Sequence, residues 1–327
     1  MKILVTGGTG FTGAALVLRL LALGHRVRSL DYQEGICSDE LRKAGAEVIT
    51  GNIADLKTVY STTEGVEFVF HLAAAFRELN VPDKHYLDVN VGGTRNVMEA
   101  AKKHNVSKVV YCSTQGVHGH VKDPPGDENS PIAPADYYQQ TKYEGELVVH
   151  EFIKGGMNAT ILRPTAIYGP GDPGRFLMIF QRAKKGYFPM FGNGKTFYHP
   201  VYIDNLVDAF ILTLNLDKGK GKTYIIADNE YLTIKELVEK TGKAMNKQVK
   251  IPHYPIFPVV IAGHIFEKIC KPFGITPPIF PRRVDWYRQV RAFKIDKAKH
   301  ELGYAPKVGI DEGLNRTAKW YKEMGYL

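Results

Sequence analysis

The sequence predicts an α/β protein: a doubly wound parallel sheet followed by a smaller, mixed α/β C-terminal lobe. Three observations predict it. Short apolar or β-branched runs alternate with amphipathic helical stretches through the first half of the chain. A glycine-rich turn joins the first of those runs to the first helix. After about residue 163 the rhythm breaks, and proline and glycine become frequent. Strand–helix–strand alternation argues parallel strands, because each needs a crossover connection, and the helices then cover both faces. The 327 residues are 44% hydrophobic and 24% charged, an ordinary globular balance with enough apolar material for a large core or two lobes.

In chain order, strands are expected at 3–6, 26–30, 47–50, 68–72, 108–112 and 160–162. Helices are expected at 11–23, 83–104 and 138–154. The run from Arg163-Pro164 to Tyr168-Gly169-Pro170-Gly171-Asp172-Pro173-Gly174 reads as the crossing into a less regular lobe. The stretch 201–209, an apolar helix to 216 and a strand at 223–227 then read as a return to the sheet. The expected division is therefore 1–166 with 201–228 as one domain, and 167–200 with 229–327 as the second. Within the second, 256–270 is an apolar helix of about four turns.

Several function classes are excluded at this level. No run approaches the ~20 apolar residues of a membrane span. Met1 leads straight into Lys2-Ile3-Leu4-Val5, without the basic and apolar regions of a signal peptide. Cys37, Cys112 and Cys270 are far apart and lack metal spacing, so no metal is expected and the context is reducing cytoplasm. The net charge of +9 suits solubility, or attraction to an anionic partner such as a dinucleotide or an acidic membrane surface. A peripheral membrane contact stays open on that ground. The basic residues are spread and not interleaved with aromatics, so no nucleic-acid partner is expected.

Thr6-Gly7-Gly8-Thr9-Gly10-Phe11-Thr12-Gly13 closes the first strand and opens the first helix. Gly7, Gly10 and Gly13 serve a tight turn, backbone approach to a pyrophosphate, and close packing of helix on strand. The helix N-terminus at Phe11 and Thr12 adds N–H groups and partial positive charge. A plain structural turn uses similar residues, but this position in the alternation favours a dinucleotide site. Asp31 ends the second strand, eighteen residues beyond Gly13. A carboxylate there accepts from the ribose hydroxyls of NAD and repels a 2′-phosphate, so NAD is expected over NADP. Arg28 competes as a phosphate partner, but strand alternation puts it with Leu30 on the face opposite Asp31. Asn52 and Ile53 follow the third strand, beside the adenine. Leu72, Ala73 and Ala74 end the fourth strand with room for the adenosine.

Tyr138-Gln139-Gln140-Thr141-Lys142 sets tyrosine and lysine on one helix face, one turn apart. A phenol titrates near pH ~10 in water, and a neighbouring ammonium stabilises its phenolate. The lysine can also hold the nicotinamide ribose. Upstream, Val109-Val110-Tyr111-Cys112-Ser113-Thr114 is a strand ending in hydroxyls at the ligand-binding edge of such a sheet.

These pieces together resemble the extended short-chain dehydrogenase/reductase superfamily, of the NAD-dependent epimerase/dehydratase type, over essentially the whole chain. The matching segments are the glycine motif, 71–75, 89–94, 112–119, the Tyr138/Lys142 pair, Leu162-Arg163-Pro164, Tyr168-Gly169-Pro170 and 201–205. The resemblance implies a Rossmann domain binding NAD and a soluble enzyme. It places the catalytic hydroxyl on Thr114 with Ser113 in support, Asn90 near the lysine, and Pro164 among the cofactor contacts. It also implies a homodimer, built from the helices beginning near Asp83 and Tyr138.

Within the superfamily, nucleotide-sugar epimerases and dehydratases usually carry Asn at the position of Ala166 and Arg at that of Tyr198. Both departures weaken that substrate class. The apolar helix, with Phe293 to Pro306 as a closing motif, resembles the 3β-hydroxysteroid dehydrogenase-like group. The implied function is interconversion of a secondary alcohol and ketone on a hydrophobic, steroid- or lipid-like small molecule. The alternatives are a nucleotide-sugar epimerase/dehydratase using the same Thr-Tyr-Lys site, and a non-catalytic NAD-sensing scaffold; scaffolds typically lose the tyrosine or lysine, and this chain keeps both. Ala166, Tyr198 and His199 are expected in the substrate pocket, with apolar area from Phe176, Leu177, Phe180, Phe188, Phe191 and the 256–270 helix. Arg282 and Arg283 read as a solvated face. His118 and His120 lack a third metal ligand.

Overall fold

The computed structural model describes residues 1–76, 81–172, 174–270, 275, 277 and 284–327. Arg282 and Arg283 lie outside the described residues. Six strands alternate with helices through the first half: β1 (Lys2–Thr6), α1 (Phe11–Ala22), β2 (Arg26–Asp31), α2 (Ser38–Lys43), β3 (Glu47–Thr50), α3 (Leu56–Thr63), β4 (Phe68–His71), α4 (Asp83–Leu87), α5 (Thr94–Lys103), β5 (Lys108–Cys112), α6 (Tyr137–Lys154) and β6 (Ala159–Pro164). Then come β7 (Ala166–Tyr168), α7 (Arg175–Lys184), β8 (Met190–Phe191), β9 (Phe197–Tyr198), β10 (Pro200–Tyr202), α8 (Ile203–Leu212) and β11 (Thr223–Ile226). The chain continues through β12 (Leu232–Thr233), α9 (Ile234–Ala244), β13 (His253–Tyr254), α10 (Phe257–Cys270) and α11 (Ile310–Glu323).

Seven strands form one sheet in the order β11-β6-β5-β4-β1-β2-β3, and all its pairings are parallel. β11 returns to the edge beside β6, as the sequence predicts, with Thr223 opposite Ile161. β1 shows why the strands read as near-continuous apolar runs. Ile3 and Val5 enter one core cluster while Leu4 enters the other, because a parallel sheet is covered on both faces. α8 packs on α1 on one side, and α3, α5 and α6 pack together on the other. The order reverses between β1 and β4, and at such a switch point the strands' carboxyl ends open a crevice.

Two expectations change here. The helix predicted at 83–104 is broken: a wide π-turn, Asp88–Gly93, separates α4 from α5. One extra residue per turn lets the buried Asn90 reach inward, while Gly93 admits the Ile53 side chain so closely that a Cβ would lie 2.6 Å from it. The second change concerns α10. A helix apolar on all sides is expected to be core or pocket wall, yet only its Gly263 is buried. Phe257, Ile261, Ile265 and Ile269 repeat every four residues and are 71%, 45%, 51% and 56% exposed. No helix among the described residues is long and apolar enough to cross a membrane.

Candidate active site

A cleft of about 600 Å³ lies across the switch point, lined by the glycine turn at one end and by Tyr138 and Lys142 toward the other. The glycine turn is sterically obligatory. Gly7 has φ +70°, and a Cβ there would lie 2.7 Å from Ala73 N. A side chain at Gly13 would collide with the Gly7 carbonyl. No side chain caps the N-terminus of α1 at Gly10, which leaves that positive end to an anionic ligand.

Asp31 closes this end. Its Oδ2 accepts from Thr9 N (3.1 Å) and Thr9 Oγ1 (2.8 Å), and its Oδ1 from Tyr32 N (2.9 Å). The carboxylate is thereby aimed, with lone pairs left for ribose hydroxyls. Arg28 turns away, donating to Glu47 Oε2 (2.8 Å) and to Thr62 O (2.6 Å). Asn52, Ile53, Leu72, Ala73 and Ala74 all line the cleft, as does Pro164.

The loop carrying Leu72 to Ala75 is braced by a buried proton chain. Thr94 Oγ1 donates to Asn90 O (2.6 Å), so His71 Nε2 donates to Thr94 (3.0 Å) and His71 Nδ1 accepts from Thr6 Oγ1 (2.7 Å). Complete burial, aided by the Lys142 charge, pushes His71 down to about 3 and keeps it neutral. Asn90, expected near the lysine and among the cofactor residues, is buried and does not line the cleft. It accepts from Ala75 N (2.8 Å) and donates to Ala75 O (3.3 Å) and Thr141 Oγ1 (2.9 Å). Its role is to tie the cofactor loop to the helix turn between Tyr138 and Lys142.

That helix, α6, is started by Asp136, whose side chain accepts from Gln139 N (2.8 Å). Lys142 is buried, with Nζ 4.2 Å from the centre of the Tyr111 ring. Desolvation pushes it down to about 8, against the raising influence of Cys112 and Glu146. Tyr138 lies beside Phe76, ring centres 4.9 Å apart. At the end of β5, Thr114 and Ser113 line the same wall. Thr114 Oγ1 accepts from Gly116 N (3.0 Å), and the Ser113 hydroxyl donates to the buried Glu146.

The substrate end is built from more of the chain than the sequence reading held. Ala166, Tyr198 and Phe176 do line it. His199 does not: its Nε2 donates to Asp228 O (2.8 Å), its Nδ1 accepts from Phe293 N (3.3 Å), and burial pushes it down to about 4. It is a buried joint between strand and C-terminal segment, because Ala166 N bonds its carbonyl and fixes β7 beside β10. Phe180 and Phe188 are core, and α10 contributes no lining residue, so the expected apolar wall shrinks to Phe176 and its neighbours. Trp286 and Arg291 were missed. Arg291 N donates to Phe197 O (3.0 Å), which lays this segment along β9 and into the cleft. The available signals were a rare tryptophan and an arginine just ahead of the 293–306 closing motif.

A dinucleotide cradle joined to a Tyr–Lys pair at the switch point defines an extended short-chain dehydrogenase/reductase enzyme. Residues 3–227 match the model of the NAD dependent epimerase/dehydratase family. The chain belongs to that family, and NAD is its cofactor. It is 31% identical to 3beta-hydroxysteroid-dehydrogenase/decarboxylase isoform 2 of Arabidopsis thaliana over 96% of its own length, and it spans 60% of that protein. It is 27% identical to N-acetyl-alpha-D-glucosaminyl-diphospho-ditrans,octacis-undecaprenol 4-epimerase of Escherichia coli O157:H7, covering 98% of this chain and 95% of that one. Among solved structures, UDP-glucose 4-epimerase of Thermotoga maritima with UDP-glucose is 25% identical, with a TM-score of 0.81 and 99% of both chains covered. Relatives of both substrate classes thus lie at similar distance.

Proposed function

We propose that the protein interconverts a secondary alcohol and a ketone on a hydrophobic, steroid- or lipid-like hydroxy/keto substrate. The observation that carries this is the wall beyond Tyr138, where Phe76, Ala166, Ile167, Phe176, Tyr198 and Trp286 line the cleft. Burial of apolar substrate area against such a wall contributes about 25 cal/mol per Å². The Tyr138 hydroxyl gives or takes the proton on the reacting oxygen, and the Lys142 ammonium stabilises the phenolate and the nicotinamide ribose. Thr114 orients the oxygen through its O–H, its lone pair being engaged by Gly116 N. NAD, when bound, supplies the hydride acceptor or donor.

In this reading residues 1–166 and 201–228 are the NAD-binding domain, and 167–200 and 229–327 form the substrate lobe. The enzyme works in the cytoplasm as a homodimer. A single self-complementary pair of helices, those starting at α4 and α6, is enough for a two-fold interface. Light scattering at micromolar concentration should give the dimer mass, and a stable monomer would remove that part of the proposal.

A nucleotide-sugar epimerase is the second reading, favoured by Arg291 in the cleft wall, where a guanidinium suits a diphosphate. A panel of hydroxysteroids and UDP-, GDP- and dTDP-sugars added with NAD, and of long-chain keto compounds added with NADH, all followed by NADH absorbance, separates the two. Micromolar affinity for a nucleotide sugar, retained NAD, no net NADH and no binding of keto lipids would install the epimerase.

A further inference from the structure

Ser113 and Thr114 stand side by side in the cleft wall, but their hydroxyls are set in opposite senses. A buried chain behind Ser113 decides this. His118 Nδ1 faces two carbonyls, Ser130 O (3.0 Å) and Pro131 O (3.2 Å), so that nitrogen carries the ring proton. His118 Nε2 is then an acceptor for Arg163 Nη1 at 2.9 Å. Arg163 donates to both oxygens of Glu146, Nε at 2.9 Å and Nη2 at 2.6 Å. Both oxygens of this fully buried carboxylate accept from the guanidinium and present acceptors to their other neighbours. The Ser113 proton is therefore committed to Glu146 Oε1, and lone pairs alone remain for a ligand. Thr114 is the reverse, accepting from backbone and free to donate.

An independent observation points the same way. Gln115 also lines the cleft, and its Oε1 is buried without a hydrogen-bond partner among the described residues. Such an acceptor is costly until something donates to it.

We propose that Ser113, oriented by Glu146 and Arg163, forms with Gln115 an acceptor subsite beside the reacting oxygen. The substrate fills it with a hydrogen-bond donor, a hydroxyl on the carbon next to the one oxidised or reduced. This rests on the oxidoreductase reading and narrows its substrate to a hydroxyketone or vicinal diol on an apolar body. Thr114 and Tyr138 donate to the reacting oxygen while Ser113 and Gln115 accept from its neighbour. Glu146 and Arg163 are positioning residues, since they act through Ser113.

The test uses the NADH-loaded protein with two matched probes, decan-2-one and 3-hydroxydecan-2-one. Affinity is read by NADH fluorescence and turnover by NADH absorbance. The hydroxyketone should exceed the plain ketone in kcat/KM by about tenfold or more, because a site built for a donor penalises its absence. Ser113→Ala should reduce that ratio to about twofold or less, with the loss falling on KM more than on kcat. Gln115→Met should reduce it less. Glu146→Gln presents an amide N–H that can turn the Ser113 proton toward the cleft, and should lower the ratio too. If Glu146→Gln fails to fold, Ser113→Ala still decides. Equal kcat/KM for the two probes in the parent, no saturable binding of 3-hydroxydecan-2-one, or an unchanged ratio in Ser113→Ala overturns the subsite. Tyr138→Phe separates the two readings: loss of turnover on both probes keeps the oxidoreductase reading whichever way the ratio falls.

Discussion

The two ends of the cleft are finished to different degrees. At the cofactor end Asp31, His71 and Asn90 each hold hydrogen-bond partners at 2.7–3.3 Å. At the substrate end Gln115 Oε1, Thr165 Oγ1 and Trp286 Nε1 are buried without hydrogen-bond partners among the described residues. Each such group costs about 1–3 kcal/mol until it is paired. The contrast teaches where specificity is stored. A site for one invariant dinucleotide can be completed in advance by the protein, whereas a site that must select its ligand keeps groups that only the right ligand satisfies.

The largest expected effect is at the junction of the two ends. Tyr138→Phe should keep NAD affinity and lower turnover by ~10²–10⁴-fold, the loss expected of a positioned acid/base group. Unaltered turnover on a true substrate would remove Tyr138 from the chemistry. The pH dependence follows from Lys142. Its ammonium is the useful form, and burial has brought it down to about 8. Charge is therefore present below that pH and lost above it, so ketone-reducing kcat/KM should fall about tenfold per unit beyond pH ~8. A profile flat to pH 10 would break the link between burial and rate.

The cofactor end can be probed on its own. Asp31→Ser should weaken NAD by about tenfold or more, the scale of hydrogen bonds to a charged group, and narrow the preference over NADP. Titration of both dinucleotides checks it, and a parent that binds NADP more tightly would overturn Asp31 as the selector. Acid stability tests the neutral histidines. His71 and His199 are held near 3 and near 4, below the ordinary 6.5. The unfolded chain takes up protons that the folded one refuses, so stability should fall as pH drops from about 6.5 toward those values. His71→Gln should flatten that fall, measured by urea midpoints at pH 7 and 5.

The smallest effect is expected far from the cleft. Ile265→Ser lies on the outward stripe of α10 and should change stability by less than about 0.5 kcal/mol, as surface substitutions do. A loss of about 2 kcal/mol or more in thermal melts would mean that the stripe is packed.

How much was legible follows from how local each feature is. The glycine turn, Asp31 and the Tyr138/Lys142 pair were readable because each is a short-range pattern: a turn, a strand end, an i,i+4 repeat. The alternation gave the strands of the sheet, including the return at β11. The π-turn was not readable, since a helix-compatible segment takes its extra residue only when Asn90 has Ala75 and Thr141 to meet. His199 was misplaced for a related reason. Its position beside β7 is right, but its side chain points to Asp228 and Phe293, residues that only the folded chain brings there. Whether α10 meets substrate, membrane or core was not readable, because hydrophobicity states a preference for burial and names no partner.

By itself, then, the sequence determined the parallel α/β class, the dinucleotide cradle and the proton-handling pair, because local sterics and helix geometry are written in neighbouring residues. Tertiary structure alone decided the substrate end: that Trp286 and Arg291 close the cleft beside Tyr198, that Glu146 and Arg163 commit the Ser113 proton, and that the apolar face of α10 points outward. Those outcomes depend on contacts between segments far apart in the chain, and their energies exist only once folding has brought the partners within hydrogen-bond or van der Waals range.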